Sequence, residues 1–191
     1  MSLIRTMLDR LLNRSSGAQA VDSLNYFKDV SARLLGNYSI GKGTMVSKNA
    51  HIAGIRSGIV VVGESAYIGE SANVLSPNDT VTKIANQTSV MNGAFVVGSA
   101  TIEKGAVVGV ATKVVRSNMG ENSVLFHYSE ATDMNIPAGE LWAGKPAKHI
   151  RKLTDEEISR MAEVPAEINA YVSELSSAPA GRKDTNDTKK S

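Results

Sequence analysis

The sequence predicts an all-β solenoid, a parallel β-helix built from hexapeptide repeats, and three observations carry that prediction. Stepping by six from Ile40 gives Val46 and Ile52; the series resumes as Val62, Ile68, Val74, and then as Ile84, Val90, Val96, Ile102, Val108, Val114. Every position is Ile or Val. Four residues after each comes a mostly small side chain: Thr44, Ala50, Ala66, Ala72, Thr88, Ala94, Ala100, Ala106, Thr112. Neither helical spacing nor alternation in twos reproduces this double rule. A triangular coil does: β-branched residues fill the axis, a small residue fits each corner, and three hexads make one turn. Finally, the phase slips by four residues twice. The larger residues Arg56 and Asn78 precede these slips, which places protruding loops near residues 54–61 and 75–83.

Composition sets the limits. The 191 residues hold one domain with extensions, and 21 basic against 19 acidic residues give no electrostatic case for a nucleic-acid partner. With 42% apolar residues and three Phe the core is aliphatic, and with no cysteine there is neither a disulfide nor a thiolate metal site. The longest apolar runs are too short to span a bilayer.

The coil is expected over residues 38–153, after an amino-terminal helical extension over 1–37. In "MSLIRTMLDRLLNRSSG", Leu3, Ile4, Met7, Leu8, Leu11 and Leu12 share one stripe, and Arg5, Asp9, Arg10 and Asn13 the other face. Such a stripe suits a membrane interface, a partner subunit, an import signal or the chain's own coil. Around "DSLNYFKDVSARLLGN" the spacing of Leu24, Phe27, Val30, Leu34 and Leu35 suggests a second short helix or an irregular lead-in.

A carboxy-terminal helix packed on the coil is expected over 154–175. Thr154 and Glu157 stand in capping-box spacing, and Ile158, Met161, Pro165, Ile168, Val172 and Leu175 form its apolar face, with a kink or break at Pro165. Residues 176–191 have no apolar face to bury and are expected to be disordered.

Between coil and helix stands "IPAGELWAGKPAKHIRKLTDEEI", residues 136–158. Pro137, Gly139, Leu141, Trp142, Gly144, Pro146, Ala147 and Lys148 match the signature of the γ-class carbonic anhydrase family, which this segment resembles. Hexapeptide acyltransferases share the "G-x-P-A-K-x-I-R" part; Trp142 and "LTDEE" favour the carbonic anhydrase side. The resemblance covers roughly residues 38–175. It implies a left-handed coil and a trimer of coils side by side, with zinc held between subunits by three histidines.

Two of those histidines belong to a Gly-His-x-Ala-x-x-His-Gly segment, matched here by "MNGAFVVGS". Asn92 stands at the first histidine position and Val97 at the second; the third falls near Leu75 or Ser76. The family's Arg-Gly-Asp is reduced to Arg56-Ser57-Gly58, and its Gln-Asp pair corresponds to Gly69-Glu70. Catalytic zinc requires three lone-pair donors and an open position. Valine and leucine have no lone pairs, and amide or hydroxyl oxygens replace imidazole poorly on this ion. The remaining histidines, His51, His127 and His149, read as solvated or hydrogen-bonded residues rather than ligands.

A scaffold kept without its metal site resembles the degenerate carbonic-anhydrase-like subunits of mitochondrial respiratory complex I. That resemblance implies a non-catalytic structural subunit, with no catalytic residues and no cofactor. It would sit in a homo- or heterotrimer with other γ-carbonic-anhydrase-like chains, on complex I membrane-arm subunits at the matrix side of the inner membrane. The stripe from Leu3 to Leu12 would make membrane or partner contact. Three alternatives stay open: a carbonic anhydrase active only through zinc sites of partner chains, an acetyl-CoA-dependent acyltransferase with His51 or His127 as general base, and a bacterial homotrimer of unknown ligand.

Overall fold

In the computed structural model, residues 20–21 and 26–177 are described. They form a three-sided parallel β-solenoid flanked by one helix. The amino-terminal stripe and the residues beyond 177 lie outside the described residues.

The first face stacks β2 (Phe27–Lys28), β4 (Met45–Val46), β6 (Tyr67–Ile68), β9 (Ser89–Val90), β12 (Val107–Val108), β15 (Val124–Leu125) and β18 (Glu140–Gly144). The second takes the amino halves of β3 (Arg33–Ile40) and β5 (His51–Val62), then β7 (Asn73–Pro77), β10 (Phe95–Val97), β13 (Lys113–Val115) and β16 (Glu130–Thr132). The third takes the carboxy halves of β3 and β5, then β8 (Val81–Ile84), β11 (Thr101–Ile102), β14 (Asn118–Met119) and β17 (Asn135–Ile136). Short β1 (Ala20–Val21) lies antiparallel on β2, and β19 (Ala147–Lys152) lies antiparallel on β18.

The sequence count and the fold coincide residue for residue through most of the coil. Val46, Ile52, Ile68, Val74, Ile84, Val90, Val96, Ile102, Val108 and Val114 are all 0% exposed along the axis. The corner residues from Thr44 to Thr112 are buried as well. Buried corner hydroxyls are satisfied by backbone carbonyls: Thr44 Oγ1 donates to the Gly63 carbonyl at 2.7 Å and Thr112 Oγ1 to that of Gly109 at 2.7 Å.

The two four-residue slips stack on each other at the corner between the second and third faces: the first is a bend at Arg56 inside the continuous strand β5 rather than a loop, and the second is the turn between β7 and β8. Asn78 N–H donates to the Ile55 carbonyl at 3.2 Å, Arg56 Nη1 donates to Asn78 Oδ1 at 3.1 Å, and Ser57 hydrogen-bonds Asp79. The stack is close enough that a Cβ on Gly58 would overlap the Ser76 carbonyl.

Three expectations change. The coil begins at Phe27, not at residue 38: β2 pairs in parallel with β4, and β3 with β5, so residues 27–37 are its first rung rather than part of a helical extension. Among the described residues no helix forms there: Phe27, Val30, Leu34 and Leu35 take their spacing from a strand, a corner and a strand. Lys28, in register with Val46, occupies an axis position and hides the hexad. Past Val114 the coil continues, as expected, but out of phase with the count of six, through Met119, Leu125, Ala131 and Ile136, all buried. Contacts between successive turns there span 17 residues rather than 18. Finally, α1 (Asp155–Ser177) runs without a break through Pro165. Proline costs it only the bond to the Met161 carbonyl, and Pro165 is itself buried.

The helix covers the first face. Ile168 and Val172 pack with Phe27, Met45 and Tyr67 in a second apolar cluster. Its start is the capping box: Thr154 N–H donates to Glu157 Oε2 at 2.9 Å and Glu157 N–H to Thr154 Oγ1 at 3.2 Å. Arg151 grips the same carboxylate at 2.8 and 2.7 Å. The Arg151 guanidinium and the Thr154 backbone hold the Glu157 carboxyl well below its ordinary range, at about 2. Depression of a carboxyl pKa stabilises the cap above the unfolded value, and that stability is lost as pH falls through the folded value. We therefore expect the first turn of α1 to fray between about pH 4.5 and pH 2. Glu157→Gln should be frayed already at pH 6, and NMR shifts of residues 155–158 would read both.

Candidate functional site

The positions matching the family's ligands lie along the second face. Asn92 follows β9 at the corner leading into that face, two places after the axis residue Val90. Its Oδ1 accepts from the Glu70 N–H at 3.1 Å and from the Tyr67 hydroxyl at 3.3 Å. Asn86, one hexad earlier, does the same: its Oδ1 accepts from the Glu64 N–H at 2.9 Å. The two asparagines therefore share a repeat function, tying each corner to the turn before it. The arrangement needs Gly69, where an added Cβ would meet Asn92 Oδ1 at 2.6 Å.

Val97 ends β10, with Leu75 and Val115 as its partners on neighbouring rungs. These three half-buried aliphatics form an outward apolar column. Ser76, 0% exposed, donates from Oγ to the Thr80 carbonyl at 2.7 Å and closes the loop between β7 and β8. Within one chain, then, Val97 stands in register with Leu75, Ser76 is paired with Gly54, and Asn92 stands at the opposite end of β10. The donor set does not fit a catalytic zinc ion. Leu75 and Val97 offer no lone pair, Ser76 is committed inside its loop, and the Asn92 oxygen already serves two donors.

Around Asn92 gathers a polar cluster whose members come from different turns. Tyr67 is buried, and that burial pushes its hydroxyl above the ordinary value; a hydrogen bond with Ser47 lowers it and the Glu70 carboxylate raises it. Tyr67 and Ser47 escape sequence reasoning because only the register brings them to Asn92. The phase of Asn86 and Asn92, six residues apart, was a readable signal of their shared role. Asn92→Leu should leave the Glu70 N–H without its acceptor and take one of two partners from the Tyr67 hydroxyl, which keeps Ser47, at a cost of about 1–3 kcal/mol. Urea unfolding would measure it.

The histidines do not converge. His51 projects outward from β5 between Arg33 and Asn73, and its Nε2 is buried with no hydrogen-bond partner among the described residues. His127 Nδ1 accepts from the Val110 N–H at 2.9 Å, and its ring lies 4.7 Å from that of Phe126. An imidazole accepting at Nδ1 carries its proton at Nε2 when neutral, so this arrangement presents a donor outward, not a base. His149 Nε2 lies 3.8 Å from Glu140 Oε2. Trp142 donates to the same carboxylate oxygen at 2.9 Å and sets its ring edge-on to His149. The signature segment thus closes the coil as the β18–β19 hairpin. Among the described residues no three His, Asp or Glu side chains are grouped to hold a metal ion, and no helix is long and apolar enough to cross a membrane.

Comparison with known proteins agrees with the coil. No protein-family model matches the chain. It is 29% identical over 155 residues to gamma carbonic anhydrase 2, mitochondrial, of Arabidopsis thaliana, covering 78% of this chain and 55% of that protein. It is also 29% identical over 127 residues to gamma carbonic anhydrase 1, mitochondrial, of the same plant, covering 63% of this chain and 38% of that one. The chain thus spans about half or less of these curated relatives. Among solved structures, a hexapeptide transferase family protein from Anaplasma phagocytophilum superposes with a TM-score of 0.72 at 27% identity, covering 80% of this chain and 90% of that one. AntD, an N-acyltransferase from Bacillus cereus, shares the fold at a TM-score of 0.63 and 12% identity, over 76% of this chain and 89% of that one.

Proposed function

We propose that this chain, a relative of the mitochondrial γ carbonic anhydrases, is a non-catalytic structural subunit built on their coil. The observation that carries the reading is the fate of the ligand positions: Asn92 ties one turn to the next, Ser76 closes a loop, and Leu75 and Val97 are aliphatic. The stiff coil is retained around them. Its strands pair turn on turn and its axis is close-packed, which suits it to holding broad interfaces.

In the assembly we envisage, the chain joins other γ-carbonic-anhydrase-like chains in a trimer on complex I membrane-arm subunits, at the matrix side of the mitochondrial inner membrane. The mitochondrial names of both plant relatives and the intact signature hairpin support this reading. Native electrophoresis of mitochondrial membranes with mass spectrometry of each band tests it. The chain should migrate at the size of complex I together with related chains. Migration only as a free trimer, or absence from mitochondria, would refute it.

One observation favours a second reading, CoA-dependent acyl transfer: the fold likeness to an N-acyltransferase. The donor orientation of His127 and the buried Nε2 of His51 oppose it. Acyl transfer from acetyl-CoA that disappeared in His51→Ala or His127→Ala would promote it.

A further inference from the structure

The two ends of the coil are finished differently. At the carboxy-terminal end, β19 folds back on β18 and buries Ala147 to 2% exposure. At the amino-terminal end, Leu34, Tyr38 and Ile40 stand in register with Ile52, Val60 and Val62 of the next rung. Ile52 and Val60 are 0% exposed, whereas Tyr38 is 40% exposed and Leu34 and Ile40 are only half-buried. Leu35 and Val30, beside them, are 54% and 49% exposed. Among the described residues β3 pairs with β5 alone, so its upper edge carries unpaired backbone groups. An uncovered terminal rung exposes both apolar surface and a strand edge, and solenoids require caps against both.

The path of the chain points to the cover. β1 lies antiparallel on β2 with Ala20 opposite Lys28, so the amino-terminal end of β1 stands on the side of the corner that holds Val30 and leads into β3. The preceding residues carry the stripe Leu3, Ile4, Met7, Leu8, Leu11, Leu12. We propose that residues 3–12 lie across the open amino-terminal end of their own coil, with that stripe on Leu34, Leu35, Tyr38 and Ile40. As a helix, ten residues extend about 15 Å. One side of the prism, six residues of strand, is roughly 20 Å. Residues 13–19 as a tether reach at most about 25 Å. The lengths match, and a tether this short gives the segment an effective concentration of about millimolar at the rung. Arg5, Asp9, Arg10 and Asn13 then face solvent or a neighbouring subunit.

The test is hydrogen exchange on the full chain. Leu8→Asp/Leu11→Asp should accelerate amide exchange in β3 about tenfold, while β13, deep in the coil, keeps its protection and reports that the coil is folded. Because the chain has no cysteine, Leu8→Cys paired with Tyr38→Cys offers an independent reading. Mild oxidation should close an intramolecular disulfide in that variant and not in Leu8→Cys paired with Thr132→Cys at the far end. Unchanged β3 exchange with no cross-link overturns the proposal. So does a stripe whose acidic variants only lose binding to phosphatidylserine-containing vesicles, which would assign it to a membrane.

Discussion

Replacing Ile68 with alanine is expected to lower the unfolding free energy by about 2–5 kcal/mol, with the upper half of that range favoured. Ile68 is 0% exposed on the axis, between Val46 and Val90 of the neighbouring rungs. The cost of such a truncation depends on how far the surroundings collapse into the cavity. Here they are held apart: Tyr67 N–H donates to the Thr88 carbonyl at 2.9 Å and Gly69 N–H to the Val90 carbonyl at 2.7 Å. Rungs fixed by hydrogen bonds at both flanks cannot close on the hole. Urea denaturation monitored by far-UV dichroism measures the change. A loss below 1 kcal/mol would mean that the axis is not the close-packed core described above.

The second large effect is opposite in kind. Ala94→Leu adds volume at a corner where Ala50, Ala72, Ala94, Thr112 and Ser129 stack, each at most 1% exposed. Backbone hydrogen bonds fix the rungs on both sides of Ala94: Asn73 N–H donates to the Ala94 carbonyl at 2.8 Å and Phe95 N–H to the Thr112 carbonyl at 2.9 Å. Overpacking of this sort costs about 1–3 kcal/mol, and more where the backbone cannot shift. We expect the larger value, with Ala94→Ser nearly neutral because serine already occupies the equivalent corner at Ser129. Thermal unfolding of the two variants side by side distinguishes a steric corner from one that merely prefers apolar residues.

These expectations rest on a fold that was legible because axis and corner residues obey different size rules at a fixed interval. The reading faded where the rules relaxed. At Lys28 a charged side chain stands in an axis register, so the first rung passes for a helix. After Val114 the turns shorten by one residue, and Met119, Leu125, Ala131 and Ile136 fall out of phase with the count. The capping box at Thr154 and Glu157 was readable because its chemistry is local to one helical turn. Pro165 misled because a proline rule for isolated helices ignores the coil beneath it.

The site was legible only as substitutions. That Leu75 and Val97 lack donors follows from residue type alone. What Asn92 does instead depends on Glu70 and Tyr67, which lie 22 and 25 residues away and meet it through the register of the turns. A linear reading sees a lost ligand; the folded chain has a corner tie in its place.

The most direct test of the central claim is zinc content and affinity of the purified chain, by plasma mass spectrometry and calorimetric titration, with carbon dioxide hydration assayed on the same sample. The account predicts no saturable zinc binding and no hydration above the uncatalysed rate. Stoichiometric zinc, released by Asn92→Ala or Ser76→Ala together with hydration activity, would contradict it.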